Sequence, residues 1–343
     1  MKDITIAVDA MGGDHGPKVI VAAVVKAVHQ HPDLNFILVG DEAVLTKRLK
    51  RRHRQLLPRI RIQHASELVG MDELPSQALR YKKDSSMRVA INLVKSGEAN
   101  AAVSAGNTGA LMATARFVLK TLPGIDRPAI MAHIPSDNPH GFVRMLDLGA
   151  NVDSTPEQLF QFAVMGSVVA HAVSGIDAPR VALLNIGEEE MKGNEQVKQT
   201  AELLASHKAI NYVGNAEGSD IFADVADVIV CDGFVGNVAL KTIEGAAKLI
   251  AKIFKQALLR NWMSKCIALI SKPILQPVIK RMDTSKYNGA SLLGLKGIVV
   301  KSHGSANIKG WLAAINHAYE EVERDVLHLI EAKVSESIGK NNE

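Results

Sequence analysis

The chain has 343 residues, 47% of them apolar and only 4% aromatic, which is length enough for one large α/β unit or for two domains of about 150 residues each. That composition excludes a disordered chain and implies a core of Ala, Val, Leu and Ile. A net charge of +4 permits an acidic partner without demanding one, and two cysteines, Cys231 and Cys266, exclude a disulfide framework and suit a reducing cytosol.

One unit recurs along the chain: a short apolar run, a glycine-bearing polar turn, then a helical stretch. Residues 4–10 (ITIAVDA) carry Asp3 just before them and read as a strand rather than a secretory leader. They pass through MGGDHGP into a helix over about 17–30. AAVSA (101–105) passes through GNTG into a helix ending near 119. FVRMLDL (142–148) is followed by GANVD and a helix with Thr155 as N-cap, Pro156 as first helical residue and Gln158 as capping-box partner. RVALLNIG (180–187) leads through EEEMKGNE to a helix over about 195–205. VADVIVCDG (225–233) leads through FVGN to a long helix from about Val238, and GIVVKSHGS (297–305) to a last helix over about 306–326.

Val- and Ile-rich runs alternating with helices predict a three-layer α/β/α fold around a largely parallel, mixed sheet. Residues 1–334 are expected to form a single unit or two intertwined subdomains, with a helical projection at about 250–282 and a frayed tail over 335–343. No run reaches 18 uninterrupted apolar residues, so no spanning helix is expected.

The polar turns all follow strands, the edge at which open α/β sheets bind ligands. Six such turns on one edge suggest a composite site, although each glycine alone also serves a tight turn. In SAGNTGA (104–110), Gly106 and its neighbours let backbone N–H groups face one point at a helix start, with Ser104, Asn107 and Thr108 as side-chain donors. That arrangement is either a phosphate cradle or a plain N-cap. The turn after the first strand adds Asp9, Gly12, Gly13, Asp14 and His15; later turns add Asn151, His303 and Ser305.

Lys192, with Gly193 and Asn194 beside it, puts a positive charge near a helix start, unless it is an ordinary surface lysine. Asn237 precedes the long helix and either donates to an oxyanion or caps that helix. Cys231 follows VIV and reads as a buried strand residue. There is no GxSxG elbow, no GxxxxGK[ST] loop, no GxGxxG turn and no metal-type spacing, so neither a cofactor nor a metal is expected.

Two stretches stand out by charge. Lys47, Arg48, Lys50, Arg51, Arg52 and Arg54 form a dense basic run. Residues 245–282 hold eight Lys and Arg and no acid, with Pro273 and Pro277 expected to break the helix into pieces. Leu258, Leu259, Trp262, Met263, Ile267, Leu269 and Ile270 set among basic residues describe an interfacial segment for a membrane or an acidic partner, or a subunit contact.

Together the motifs VDAMGGDHGP (8–17), ALRYKKDSSM (78–87), VSAGNTGALMA (103–113), LDLGANVD (146–153), LLNIGEEEMKGNE (183–195), GNAEGSDIF (214–222), DGFVGNVALKT (232–242) and YNGASLLGLKGIVVKSHGSAN (287–307) resemble the phosphate acyltransferase (PlsX) family of bacterial phospholipid synthesis, over about residues 4–320. The resemblance implies a fold like isopropylmalate dehydrogenase and phosphotransacetylase, and a homodimer. It implies conversion of an acyl carrier protein thioester plus inorganic phosphate to acyl phosphate, which a membrane glycerol-phosphate acyltransferase then uses for phosphatidic acid. It also implies catalytic roles for Lys192 and Asn237, a membrane tip at the apolar residues above, and a cytoplasmic enzyme peripherally attached to the membrane. The rival readings are a short-chain acyl-CoA phosphotransferase, a decarboxylating hydroxy-acid dehydrogenase, and a non-enzymatic membrane scaffold or nucleic-acid binder; no nucleic-acid partner is expected.

Overall fold

The computed structural model describes residues 3–49, 55–56, 58–274, 276 and 284–339. Eleven strands form one sheet: β1 (Ile4–Asp9), β2 (Leu34–Gly40), β3 (Ile60–His64), β4 (Ala101–Ser104), β5 (Ala129–Pro135), β6 (Phe142–Leu146), β7 (Arg180–Leu184), β8 (Asn211–Ala216), β9 (Val228–Val230), β10 (Ala290–Leu293) and β11 (Ile298–Lys301). Their order is β3-β2-β1-β4-β11-β10-β5-β6-β9-β7-β8. β1 to β4 and β11 run parallel, as do β6 to β9. β10 is antiparallel to β11 and β5, and β5 to β6. The two parallel halves therefore run in opposite senses.

The helices are α1 (Pro17–Gln30), α2 (Glu42–Arg48), α3 (Pro75–Tyr81), α4 (Ser86–Lys95), α5 (Thr108–Leu119), α6 (Pro156–Ser174), α7 (Glu195–Ser206), α8 (Gly233–Leu259), α9 (Trp262–Ile270), α10 (Ile308–Glu323) and α11 (Val326–Gly339). Strand alternation sets the layers. On β1, Ile6 and Val8 pack with Ile20 and Val24 of α1 and Trp311 of α10. Ala7 faces the other way, into a cluster with Ile91 of α4 and Leu111 of α5. That second cluster continues through Ile130, Met145, Ile229 and Ala182 into the other half, where Ala239, Leu240 and Ile243 of α8 lie against it. On its opposite face the second half packs Val181 and Val228 against Phe162 of α6 and Ile330 of α11.

The six strands expected from the apolar runs are all present, and the Thr155 capping box forms. Five strands were not read from the sequence. β8 (NYVGNA) is a partly exposed edge with little apolar patterning, and β10 (ASLL) is four residues between glycines. The expected last helix breaks at Asp325, whose φ is +53°, into α10 and α11. The tail expected to fray from Ser335 continues as helix to Gly339, because Val326, Ile330 and Val334 repeat every four residues and bury together. The basic segment breaks at Asn261, which caps α9 by accepting from the Ser264 N–H (2.8 Å), ahead of Pro273. Lys47 and Arg48 end α2, whereas Lys50, Arg51, Arg52, Arg54 and Pro277 lie outside the described residues.

A polar cluster sits at the joint between the halves. Ser291 of β10 contacts His317 of α10 (2.7 Å) and Glu321, and His133 of β5 stacks on Phe142 with ring centroids 4.0 Å apart. Burial first, then His317 and Arg144, hold His133 well below the ordinary histidine value. The unfolded chain therefore binds a proton that the folded chain refuses, so this stabilisation is complete above about pH 6.5 and drains as pH falls below it. His133→Phe is expected to flatten the loss of urea midpoint between about pH 7 and about pH 5.5.

Candidate active site

β1, β4 and β11 lie side by side, and the turns after them meet. Asp9, 1% exposed, organises them. Its Oδ1 accepts from the N–H groups of Met11 (3.3 Å) and Gly12 (3.2 Å) and from the Ser86 hydroxyl (2.6 Å). Its Oδ2 accepts from the Ser104 hydroxyl (2.6 Å). The Asp14 N–H donates to the Gly304 carbonyl (2.8 Å). Gly13, at φ +81°, leaves only 2.9 Å between a would-be Cβ and that carbonyl, so no larger residue fits there.

Several expected donors are spent inside the protein. Ser104 Oγ donates to Asp9 and accepts from the Gly106 N–H (3.1 Å). Asn107 caps α5 through the Ala110 N–H (3.0 Å), and its Nδ2 donates to the carbonyls of Met71 (2.7 Å) and Glu73 (3.1 Å). Both residues therefore shape the turn instead of offering side-chain donors to a ligand. Thr108 opens α5 exposed, and neither it nor the exposed His15 has a side-chain partner among the described residues.

His303 accepts at Nδ1 from the Ser305 N–H (3.1 Å), and the Ser305 hydroxyl is 2.9 Å from the same atom. The neutral ring thus carries its proton on Nε2. Burial, together with Lys301, Lys241 and Lys248, holds His303 below its usual value against the pull of Glu244.

A second group of turns follows β6, β7 and β9. Here Asp147 takes the organising part. Its Oδ1 accepts from the N–H groups of Ile130 (2.9 Å), Gly149 (3.2 Å) and Ala150 (3.0 Å). Its Oδ2 accepts from the N–H (2.8 Å) and Nδ2 (2.9 Å) of Asn151. Burial raises the Asp147 carboxyl above its usual range despite these bonds. Asn151 Nδ2 also donates to the Pro128 carbonyl (2.8 Å), so Asn151 is a structural residue and not a free donor as expected.

The long helix begins five residues earlier than the glycines suggested. Asp232 caps it through the Val235 N–H (2.8 Å), and Gly233 and Gly236 approach the 147–151 turn closely. Asn237 lies inside the helix, exposed beside Gly149, with no side-chain partner among the described residues. The capping alternative for Asn237 is thereby removed. Asn194, by contrast, caps α7 through the Val197 N–H (2.9 Å). Lys192 is exposed on the 185–194 loop, packed over Gly187 and following Glu188, Glu189 and Glu190; its ammonium has no partner among the described residues. Burial pushes the Cys231 thiol well above its ordinary range.

The expectation of six turns on one edge requires correction. Because the halves run in opposite senses, the turns form two groups of three. α8 joins them: its first turn holds Asn237 against the second group, and its Lys241, Glu244 and Lys248 act on His303 of the first. Asn237 and Lys241 are one helical turn apart, about 6 Å along the axis. Contacts with Asn185 and Gly187 place Lys192 in the second group, and none among the described residues links it to the first. Among the described residues no cluster of His, Cys, Asp or Glu is placed to hold a metal ion.

Residues 4–329 match the model of the fatty acid synthesis protein family. A phosphate acyltransferase from Coxiella burnetii is 58% identical over 332 residues, covering 96% of each chain. The chain belongs to this family of phosphate acyltransferases. It is accordingly an acyltransferase that acts on phosphate. In fold, a phosphotransacetylase from Streptococcus pyogenes superposes with a TM-score of 0.60 at 18% identity over 94% of both chains. A Salmonella typhimurium protein described as a 4-hydroxythreonine-4-phosphate dehydrogenase gives 0.50 at 14% identity, over 93% of this chain and 99% of its own. The fold is thus the mixed α/β arrangement shared by phosphotransacetylases and these dehydrogenases.

Three residues of the two groups were missed from the sequence. Asp147 and Ser86 act through hydrogen bonds that exist only once distant strands and helices meet. Lys301 is a lysine buried at the end of an apolar strand, and its signal was there to read: a charge closing GIVV directly before a glycine turn.

Proposed function

We propose that this acyltransferase takes a long-chain acyl group from the thioester of an acyl carrier protein and transfers it to inorganic phosphate, making acyl phosphate for phosphatidic acid synthesis. One observation carries the reading: α8 physically connects the anion-friendly turns to an exposed apolar surface. The helix passes Asn237 and then His303. It ends in an arm where Leu259, Trp262, Met263, Ile267, Leu269 and Ile270 are all more than half exposed, and Leu258 partly so. A soluble two-carbon acyl group has no use for such a surface, whereas a fatty chain or a lipid membrane does. No described helix is long and apolar enough to cross a membrane; in this reading the arm makes peripheral contact.

Inorganic phosphate, whose second pKa is about 7, is partly dianionic at neutral pH and attacks the thioester carbonyl without a serine or cysteine intermediate. The P–O–C bond forms as the carbonyl electrons move to oxygen. Collapse of that oxyanion breaks the C–S bond and releases a thiolate, whose conjugate acid resembles a cysteine thiol of pKa about 8.5. In this reading the first group of turns holds phosphate, Asn237 donates to the oxyanion, and Lys192 supplies positive charge beside it. His303 Nε2–H is placed to hydrogen-bond the departing thiolate, which takes its proton from water.

Along α8, Leu249, Ile250, Ile253 and Phe254 are each over 40% exposed, a face we assign to a second copy of the chain, with the α9 tip on the cytoplasmic membrane surface. The basic residues of the arm suit an acidic carrier. The downstream partner is a membrane acyltransferase that uses glycerol phosphate. The deciding assay mixes the purified chain, phosphate and either long-chain acyl carrier protein or acetyl-CoA. Acyl phosphate, trapped with hydroxylamine, is expected from the first donor. Turnover of acetyl-CoA alone would replace this reading with the short-chain one.

A further inference from the structure

Lys301 ends β11, and strand alternation turns it to the side of Val299, toward α8. In the β11–β4 register it pairs with Ser104, whose hydroxyl reaches Asp9, so Asp9, Ser104 and Lys301 make a row across three adjacent strands. Lys301 is only 9% exposed. Its Nζ donates to the Ser302 carbonyl and, among the described residues, makes no ion pair. The Asp9 carboxylate is already filled by its own four donors. An ammonium carries three donors, and one carbonyl leaves two of them unused in a place where an unpaired cation is costly.

We propose that Lys301 is the main counter-charge for inorganic phosphate, binding the anion through its unused N–H donors between the turns after β1 and β4 and the Lys241 side of α8; the role rests on reading the first group of turns as a phosphate site. Lys192 is less suited to that task, because Glu188, Glu189 and Glu190 precede it on its own loop. The charges facing Lys301 are Asp9 from β1, Asp14 from the following turn and Lys241 from α8, with His303, Glu244 and Lys248 next to them.

Burial first, and Lys241 with it, bring Lys301 down to about 8 against the pull of Asp9 and Asp14. A phosphate dianion in contact favours the ammonium and raises that value. Well below about pH 8 the lysine is charged with or without phosphate and contributes no linkage of its own. Above it, binding takes up a proton, so affinity falls as pH rises, by up to about tenfold per unit. Above about pH 8 inorganic phosphate is dianionic and His303, held below its usual value, is neutral, so neither adds a slope there.

The test is calorimetric titration of inorganic phosphate into the full-length chain from about pH 8, where the ligand is already dianionic, to about pH 9.5, in buffers of differing ionisation enthalpy. The wild-type chain should bind progressively more weakly as pH rises across that range, with proton uptake. Lys301→Met should bind about 10- to 100-fold more weakly, without that slope. Lys301→Arg, permanently charged, should keep binding and lose the slope, whereas Lys241→Met should keep it. A slope persisting in Lys301→Arg, or wild-type affinity in Lys301→Met, overturns the assignment. So does a raised KM for the acyl donor with phosphate affinity unchanged. A wild-type chain that binds no phosphate at any pH sinks the underlying phosphate reading instead.

Discussion

Asn237→Ala lowers kcat for acyl phosphate formation by about 100- to 1,000-fold, the usual consequence of removing one oxyanion donor, while leaving the melting temperature unchanged. The second half of that expectation follows from position. The side chain is exposed, caps nothing and has no partner among the described residues; Asp232 does the capping. A purely structural asparagine would move stability, and this one, exposed beside Gly149, has no hydrogen bond among the described residues through which to do so. KM for phosphate should change little, because the amide is assigned to the oxyanion, which exists only on the way to product. Asn237→Asp should be no better, since a carboxylate accepts where a donor is needed. Near-normal kcat in Asn237→Ala and in Lys192→Ala, both folded, would remove both residues from the chemistry.

Asp147→Ala is the substitution expected to cost most in stability. It deprives four backbone N–H groups and the Asn151 amide of their shared acceptor, and the donors from Ile130 and Asn151 among them are buried. At roughly 1–3 kcal/mol for each buried donor left without a partner, even partial rearrangement leaves a loss of about 4 kcal/mol or more, at the extreme of single substitutions. The loss should not stay local. Asp147 folds the 147–151 turn against which α8 begins, and the Asn151 carbonyl accepts from the Gly233 N–H (2.8 Å). Asn237 is four residues further on, so activity should fall along with the urea midpoint. An Asp147→Ala chain with wild-type stability would mean that the turn has another anchor.

Asp9 and Asp147 show why some of the site was legible and some was not. Both follow an apolar run and precede glycines, and the sequence marked both turns as ligand-side. Asp9 was read as a binding residue, yet it proves to be 1% exposed and wholly occupied in holding backbone. Polar residues at a strand end advertise a turn equally well whether they face a ligand or their own main chain. Asn107, Asn151 and Asn194 misled in the same way, for a short amide suits a cap as readily as an anion.

The sequence by itself determined the strand–turn–helix rhythm, the fold class, the Thr155 cap and the apolar, acid-free arm, because each depends on periodicity or composition within one short window. Tertiary structure alone decided that the halves oppose one another, that six turns become two groups, and that α8 bridges them. It also buried Lys301 beside Asp9 and spent the asparagines. Those outcomes depend on which strands pair and in what sense, and on where hydrogen bonds close between residues far apart in the chain, information that no local pattern carries.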